Sequence, residues 1–256
     1  MVYDHTPVTV ADKRAVVIGG TSGIGRAIAR GFAADGADVV ATSRSEDSVA
    51  ETAAELRDLG AETVEVTCDV TERDTLTALR DATIDALGGI DILVTSQGAV
   101  SRTNLANGTD EDWETVLDVQ LAGTYRATQV FAERMDEGAI LNISSISNDL
   151  AIPDLVPYTA AKGGVDSLTR VAAKELGPEI RVNAVKPGFV RSEQTAGTYA
   201  EGTPRHEEIA ERTTTGRLAD PAEIVGAAIY LVSDAASYTN GSVLTVDDGF
   251  TADAFE

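Results

Sequence analysis

Residues 14–26 read Arg14-Ala15-Val16-Val17-Ile18-Gly19-Gly20-Thr21-Ser22-Gly23-Ile24-Gly25-Arg26. A run of β-branched residues meets a glycine-rich turn, and an Ala-rich helical pattern follows to about Ala34. Glycines at 19, 23 and 25 permit a tight turn in which the backbone approaches an anion closely. Thr21, Ser22 and Ile24 lie within that turn. A helix starting at Gly23 would point its free N–H groups and positive dipole end at the same place. Strand, turn and helix in this order make a cradle for a pyrophosphate. Glycines alone would also suit a plain turn, so it is the flanking strand and helix that favour the cradle.

Outward from this stretch, short Val/Ile-rich runs alternate with amphipathic helical patterns to the end of the chain. The pattern predicts strands at residues 14–18, 37–42, 63–67, 90–95, 139–144, 180–186 and 243–246. Helices are predicted over 23–34, 48–59, 74–87, 110–135, 158–176 and 221–231. No repeat or linker divides the chain. Residues 1–256 therefore read as one α/β domain, a doubly wound Rossmann-type fold with a seven-stranded parallel sheet flanked by helices on both faces. A polar, Gly/Thr-rich stretch at 191–217 breaks the rhythm and is expected to be an irregular substrate lid.

Apolar residues make up 43% of the 256 and aromatics only 5%, as suits a parallel sheet packed with Val, Ile, Leu and Ala. The net charge is −22, from 42 acids against 20 Lys and Arg. Such a surface repels a nucleic-acid backbone, and no nucleic-acid partner is expected. The acids are spread along the whole chain, which suits a solvated halophile-type coat better than an acidic partner-binding tail. One cysteine, Cys68, excludes an intrachain disulfide and fits a reducing compartment. No long apolar run and no secretory pattern at the start are visible, so a cytoplasmic protein without a membrane partner is expected. His5 and His206 are isolated, and no catalytic metal is expected.

The end of the second predicted strand bears on the choice of dinucleotide. An acid there would hold a ribose 2′-hydroxyl, but the chain has Thr42-Ser43-Arg44-Ser45. Arg44 could fork onto a 2′-phosphate, with Ser43 and Ser45 donating to it. NADP(H) is therefore favoured over NAD(H); the alternative for Arg44 is a solvated surface arginine. Arg26 and Arg44 are the nearest sources of positive potential for an anionic cofactor. Asp69, after the third predicted strand, is placed to accept from an adenine amino group.

Tyr158-Thr159-Ala160-Ala161-Lys162 puts a phenol and an amine at i and i+4 on one helix face. A nearby ammonium is expected to lower the phenol's pKa, making Tyr158 a proton donor and acceptor. Ser145 follows the fifth predicted strand, where open α/β sheets place their sites, and could bond a substrate oxygen as charge develops. Without the glycine turn, the same residues would suit a half-buried Tyr and a solvated Lys.

Together these residues resemble the short-chain dehydrogenase/reductase family from about Arg14 to Gly249. The resemblance implies that Ser145, Tyr158 and Lys162 are catalytic, with Tyr158 as general acid/base and Lys162 also on the nicotinamide ribose. It implies that Gly19, Gly23 and Gly25 form the cofactor turn, that Asp69-Val70 meets the adenine, and that Gly98 lies in the cofactor site. Pro187 and Gly188 would then form the cofactor-binding turn after the sixth strand, with Val190 and Ser192 at the nicotinamide carboxamide. Four positions depart from the family pattern. Ile18 replaces a Thr, Thr95-Ser96-Gln97-Gly98 replaces Asn-Asn-Ala-Gly, Asp248 stands where Gly is usual, and Gln120 replaces the Asn that holds a relay water. Gln120 carries the same amide on a longer arm and is retained as a candidate catalytic residue.

Within that family the chain is similar to sugar-acid enzymes of the gluconate 5-dehydrogenase and 2-deoxy-D-gluconate 3-dehydrogenase kind. Arg102 shortly after the fourth strand and the run 211–217 carry this likeness. Arg102 could clamp a substrate carboxylate, with Ser147, Asn148 and Gln194 reading hydroxyls; a surface ion pair is the alternative for Arg102. The expected activity is hydride transfer between NADP(H) and a secondary alcohol or ketone of a sugar acid, sugar or polyol. A 3-oxoacyl-thioester reductase and a non-catalytic dinucleotide sensor are the alternatives. The family implies a homotetramer, with Trp113, Leu117, Leu121, Tyr125 and Phe131 as candidate contact residues unless they face the sheet.

Overall fold

Strand side chains alternate between two faces, and here both faces are apolar, so helices must cover both. A computed structural model, which describes residues 5–192, 197 and 199–252, meets that demand. The strands are β1 Arg14–Ile18, β2 Asp38–Thr42, β3 Ile92–Thr95, β4 Gly138–Ile143, β5 Ile180–Pro187 and β6 Val243–Val246. All pair in parallel in the order β2-β1-β3-β4-β5-β6. Helices α1 Gly23–Ala34 and α2 Glu46–Asp58 cover one face with α8 Val225–Val232. There Val17, Val39, Ile92 and Leu141 pack against Ile28, Phe32, Leu56 and Leu231. On the other face, Val16, Val40, Leu93 and Ile140 meet Leu76 and Leu79 of α3 Arg73–Leu87, with Phe131 of α5 Gly123–Ala132. The same core takes in Ala172 and Ala173 of α6 Val156–Glu175. The strand order reverses between β1 and β3, which opens a crevice at the C-terminal ends of the strands. Among the described residues no helix is long and apolar enough to cross a membrane.

Four expectations are corrected. The sheet has six strands among the described residues, because residues 63–67 run beside β2 without a continuous ladder. Backbone bonds tie that segment to β2 only at its ends, from Val39 N to Glu62 O and from Cys68 N to Ser43 O. Between them the Thr42 hydroxyl donates to Val66 O at 2.5 Å, so a side chain takes an acceptor that a ladder would use.

The helix predicted over 110–135 is interrupted. Helix α4 Asp110–Leu117 passes into a π-helical turn, Asp118–Ala122, before α5, which ends at Ala132. Gly123 N reaches back five residues to Asp118 O. The carbonyls this displaces find side chains: Gln120 O accepts from the Thr124 hydroxyl at 2.7 Å and Val119 O from Gln97 Nε2 at 3.4 Å. Single π turns of this kind often mark functional sites.

The stretch 191–217 is not wholly irregular. It contains α7 Pro204–Arg212, capped by the Thr203 hydroxyl and held by the buried Ile209. The cap–proline pair Thr203-Pro204 was the available signal. Finally, Phe131 is fully buried in the sheet core and cannot be a contact residue. Trp113, Leu117, Leu121 and Tyr125 instead line a surface hollow of about 820 Å³ with Leu168.

Arg181 of β5 fixes the end of α8 to the sheet. Its guanidinium donates to Leu231 O at 2.8 Å, Val232 O at 3.1 Å and Ser233 O at 3.0 Å. These are the carbonyls that a helix C-terminus leaves unpaired, and a cation suits them. Arg181→Ala is expected to cost about 2–4 kcal/mol, measured by urea unfolding, because partly buried carbonyls lose charged donors. A loss within measurement error would show that water replaces the guanidinium freely.

Candidate active site

The crevice forms a cavity of about 430 Å³. The β1–α1 turn supplies Gly19, Thr21, Ser22, Gly23 and Ile24 to its wall. Gly19 has φ +73°, and a methyl group on it would stand 2.6 Å from the backbone of Ser96 and Gln97. Gly25 lies behind the wall, where an added Cβ would come within 2.1 Å of Gly19 O. The turn thus closes backbone on backbone. Ser22 caps α1 without a side-chain bond, and no acid occupies the first helical turn. The N–H groups at the helix start are therefore not claimed by a carboxylate, and the turn fits a pyrophosphate.

At the far end, Ser43, Arg44, Asp69 and Val70 line the same cavity. Arg44 is exposed at the rim. Burial works to raise the Asp69 carboxyl, but bonds from Thr71 N and Oγ1 and the charge of Arg44 outweigh it and hold the carboxyl below the usual range. Ser45 does not line the cavity; its hydroxyl caps α2 by accepting from Ser48 N. Arg26 is likewise unsuited to an anion, since Glu51 and Glu55 already hold its guanidinium at 2.8 and 2.5 Å.

Ser145, Tyr158 and Lys162 converge on the middle of the cavity. Ser145 follows β4, and its Oγ accepts from Ser147 N at 3.1 Å, which fixes the hydroxyl at the start of a short 3₁₀ turn. Lys162 is buried, donates to Ile143 O at 2.7 Å, and lies 5.6 Å from the Tyr158 ring centre. Burial brings its amine down to about 8, against the pull of Asp166. The expectation that Lys162 depresses the Tyr158 phenol is corrected. Burial holds the phenol above the usual tyrosine range, and its bond with Ser145 lowers it only in part.

Gln120 lies in the π turn and is buried. Its Nε2 donates to Ala99 O at 3.0 Å, while its Oε1 has no partner among the described residues. Gln97 Oε1 and Ser147 Oγ are also buried without partners, and all three side chains belong to residues of the cavity wall. Unpaired buried acceptors and donors suit a polar ligand. Gly98, Pro187, Gly188, Val190 and Ser192 complete this part of the wall.

Arg102 lines the mouth and makes no ion pair or hydrogen bond with another described residue. Asn148 is not at the wall; its Nδ2 donates to Asp166 Oδ2 at 2.7 Å beneath it. Gln194 lies outside the described residues. Sequence reasoning missed Ile152, Leu155, Phe189 and Tyr199, which give the substrate half an apolar side. Phe189 follows the Pro187-Gly188 turn directly, a signal that could have found it. Tyr199 stacks edge-on against it at 5.5 Å, and Phe250 packs on it at 4.9 Å. Asp248 has φ +54°, the backbone form that favours glycine. Its carboxylate accepts from Thr214 Oγ1 at 2.6 Å, Thr215 N at 2.7 Å and Thr215 Oγ1 at 2.7 Å, tying the segment after α7 to the C-terminal turn.

A family profile described as enoyl-(acyl carrier protein) reductase matches residues 19–251. The chain is 34% identical over 249 residues to the gluconate 5-dehydrogenase of Gluconobacter oxydans, across 95% of this chain and 96% of that one. It is 33% identical over 241 residues to the 3-oxoacyl-(acyl-carrier-protein) reductase of Thermotoga maritima, across 93% of this chain and 97% of that one. A solved structure of a provisional NAD(P)-dependent gluconate 5-dehydrogenase from Beutenbergia cavernae, with NADP at low occupancy, has TM-score 0.90 and 36% identity. That match covers 96% of this chain and 100% of the other. The chain belongs to the short-chain dehydrogenase/reductase family and is an oxidoreductase that uses a nicotinamide dinucleotide.

Gly25→Ala is expected to abolish cofactor binding while leaving the fold intact, because the methyl group would force the turn apart. Titration of reduced-nicotinamide fluorescence, with circular dichroism as the fold control, checks this; tight binding by the variant would mean the turn adjusts freely.

Proposed function

We propose that this protein transfers hydride between NADP(H) and a secondary alcohol or ketone of a sugar acid, sugar or polyol. The observation that carries the substrate class is Arg102, an uncommitted guanidinium at the mouth of the cavity on a chain of net charge −22. The names of the gluconate-dehydrogenase relatives support the same class. For the cofactor, Arg44 takes the place after β2 where an acid would select NAD.

The bound nicotinamide supplies the hydride acceptor or donor. In oxidation, Tyr158 Oη takes the hydroxyl proton of the substrate as hydride leaves the same carbon. In reduction, it returns a proton to the carbonyl oxygen. Ser145 donates a hydrogen bond to that oxygen and stabilises its developing charge. Lys162, held by Ile143 O at 5.6 Å from the phenol ring centre, is assigned to the nicotinamide ribose hydroxyls. Gln120 retains an amide beside Gly98 and is kept as a candidate relay group.

A second reading, reduction of a 3-oxoacyl thioester, draws on the apolar side made by Ile152, Leu155 and Phe189 and on the Thermotoga relative. A non-catalytic sensor is disfavoured by the convergence of Ser145, Tyr158 and Lys162 in one cavity. We place the protein in a salt-rich cytoplasm as a homotetramer, with the hollow around Trp113 and Tyr125 as a subunit contact.

The test is turnover of gluconates, ketogluconates, polyols and acetoacetyl thioester with each cofactor in high-salt buffer. Tyr158→Phe should lower the rate by about 10²- to 10⁴-fold, the range for a positioned acid/base. Turnover of the thioester alone would replace the sugar-acid reading with the second. Arg44→Ala should lower kcat/KM with NADP by about 10- to 100-fold and leave NAD nearly unchanged, as expected for losing a charged bond to phosphate. Arg102→Ala should raise KM for a sugar acid by about tenfold or more and leave an uncharged ketone unaffected. Equal effects on both substrates would remove the clamp.

A further inference from the structure

Asp166 and Lys186 are buried charges outside the cavity wall that the proposed chemistry does not use. Asp166 follows Tyr158 and Lys162 at two successive steps of four along α6, so all three lie on one side of that helix. It is 5% exposed, and Lys186, at the end of β5, is 6% exposed. A buried carboxylate persists only when paired and fully bonded. Here one oxygen accepts from the Ser144 hydroxyl, and the other accepts from Asn148 Nδ2 at 2.7 Å and Lys186 Nζ at 2.9 Å. Lys186 also reaches Asp149 Oδ2 at 2.7 Å.

The three loop partners of this pair are Ser144, Asn148 and Asp149. Two of them follow Ser145 within four residues and one precedes it directly. Together with the Lys162 bond to Ile143 O and the Ser145–Tyr158 contact, this charge network ties the Ser145 segment to the Tyr158 helix. Lys186 joins β5 to the same knot, one residue before Pro187-Gly188 of the cavity wall.

We infer that Asp166 and Lys186 are positioning residues that hold Ser145 against the Tyr158 phenol by clamping the loop after β4 onto α6. Neither touches the substrate space, and the inference rests on the roles given above to Ser145 and Tyr158. The pair is a charge couple: removing one member strands the other in the interior, whereas removing both costs only the attraction of Asp166 for Lys162 and the bond to the half-exposed Asp149.

The test needs no substrate. Tyrosine labelled with carbon-13 at Cζ gives a resonance that follows hydrogen bonding at each phenol, and Tyr158→Phe assigns the signal. Asp166→Asn with Lys186→Met in one chain should shift the Tyr158 resonance in the same direction as Ser145→Ala. Combining all three changes should add nothing further, while Tm stays near the wild-type value. Ser144→Ala, which cuts one link and leaves both charges paired, should shift the signal the same way by less. It also serves if the double variant fails to fold. A Tyr158 signal unmoved in the charge-free or Ser144 variant, with Ser145→Ala moving it, would overturn the inference and leave the pair as a stabilising element. No movement even in Ser145→Ala would overturn the underlying Ser145–Tyr158 contact, and the inference with it.

Discussion

A single methyl group does not fit between Gly25 and the carbonyl of Gly19, and the cofactor end of the crevice is arranged around that contact. Because the turn closes backbone on backbone, α1 begins directly above the end of β1. Its N-terminus then faces the crevice where the strand order reverses. The neighbouring strands end at the same level, with Ile18 level with Thr42 on one side and Thr95 on the other. Ser43, Arg44, Gly98 and Ser145 all follow strand ends, so the sheet delivers them to one edge without a dedicated scaffold. Two apolar cores, one on each face, hold that edge in register.

The reacting groups depend on a second constraint, burial. Lys162 donates to Ile143 O in the interior, and burial lowers its amine to about 8 while holding the Tyr158 phenol above the usual tyrosine range. Burial thus disfavours the charged form of each group, and the Ser145 hydroxyl works against it at the phenol. The carboxylate of Asp166 balances the lysine from one side and the loop from the other.

Much of this was legible in residue order. The strand–glycine–helix signature, the Tyr158/Lys162 spacing and the position of Ser145 all depend on local periodicity, and the structure brings them together as that periodicity implies. What was not legible depended on which side chain took which backbone group. Residues 63–67 read as a strand, yet the Thr42 hydroxyl claims Val66 O there. The helix from 110 read as continuous, yet Thr124 and Gln97 draw its middle into a wider turn. Asn148 looked like a substrate reader and is committed to Asp166. Asp248 departed from a glycine position, and the structure supplies the reason: its carboxylate secures Thr214 and Thr215 while its backbone takes the left-handed form.

The interior use of lysine also shapes the chemistry of the exterior. The chain has four lysines, and Lys162 and Lys186 are both buried. Of the other two, Lys13 leans on Asp234 and Lys174 is exposed. Among its lysine side chains, the folded protein therefore offers amine-selective reagents chiefly Lys13 and Lys174. An amine that becomes reactive later would report that the interior had opened.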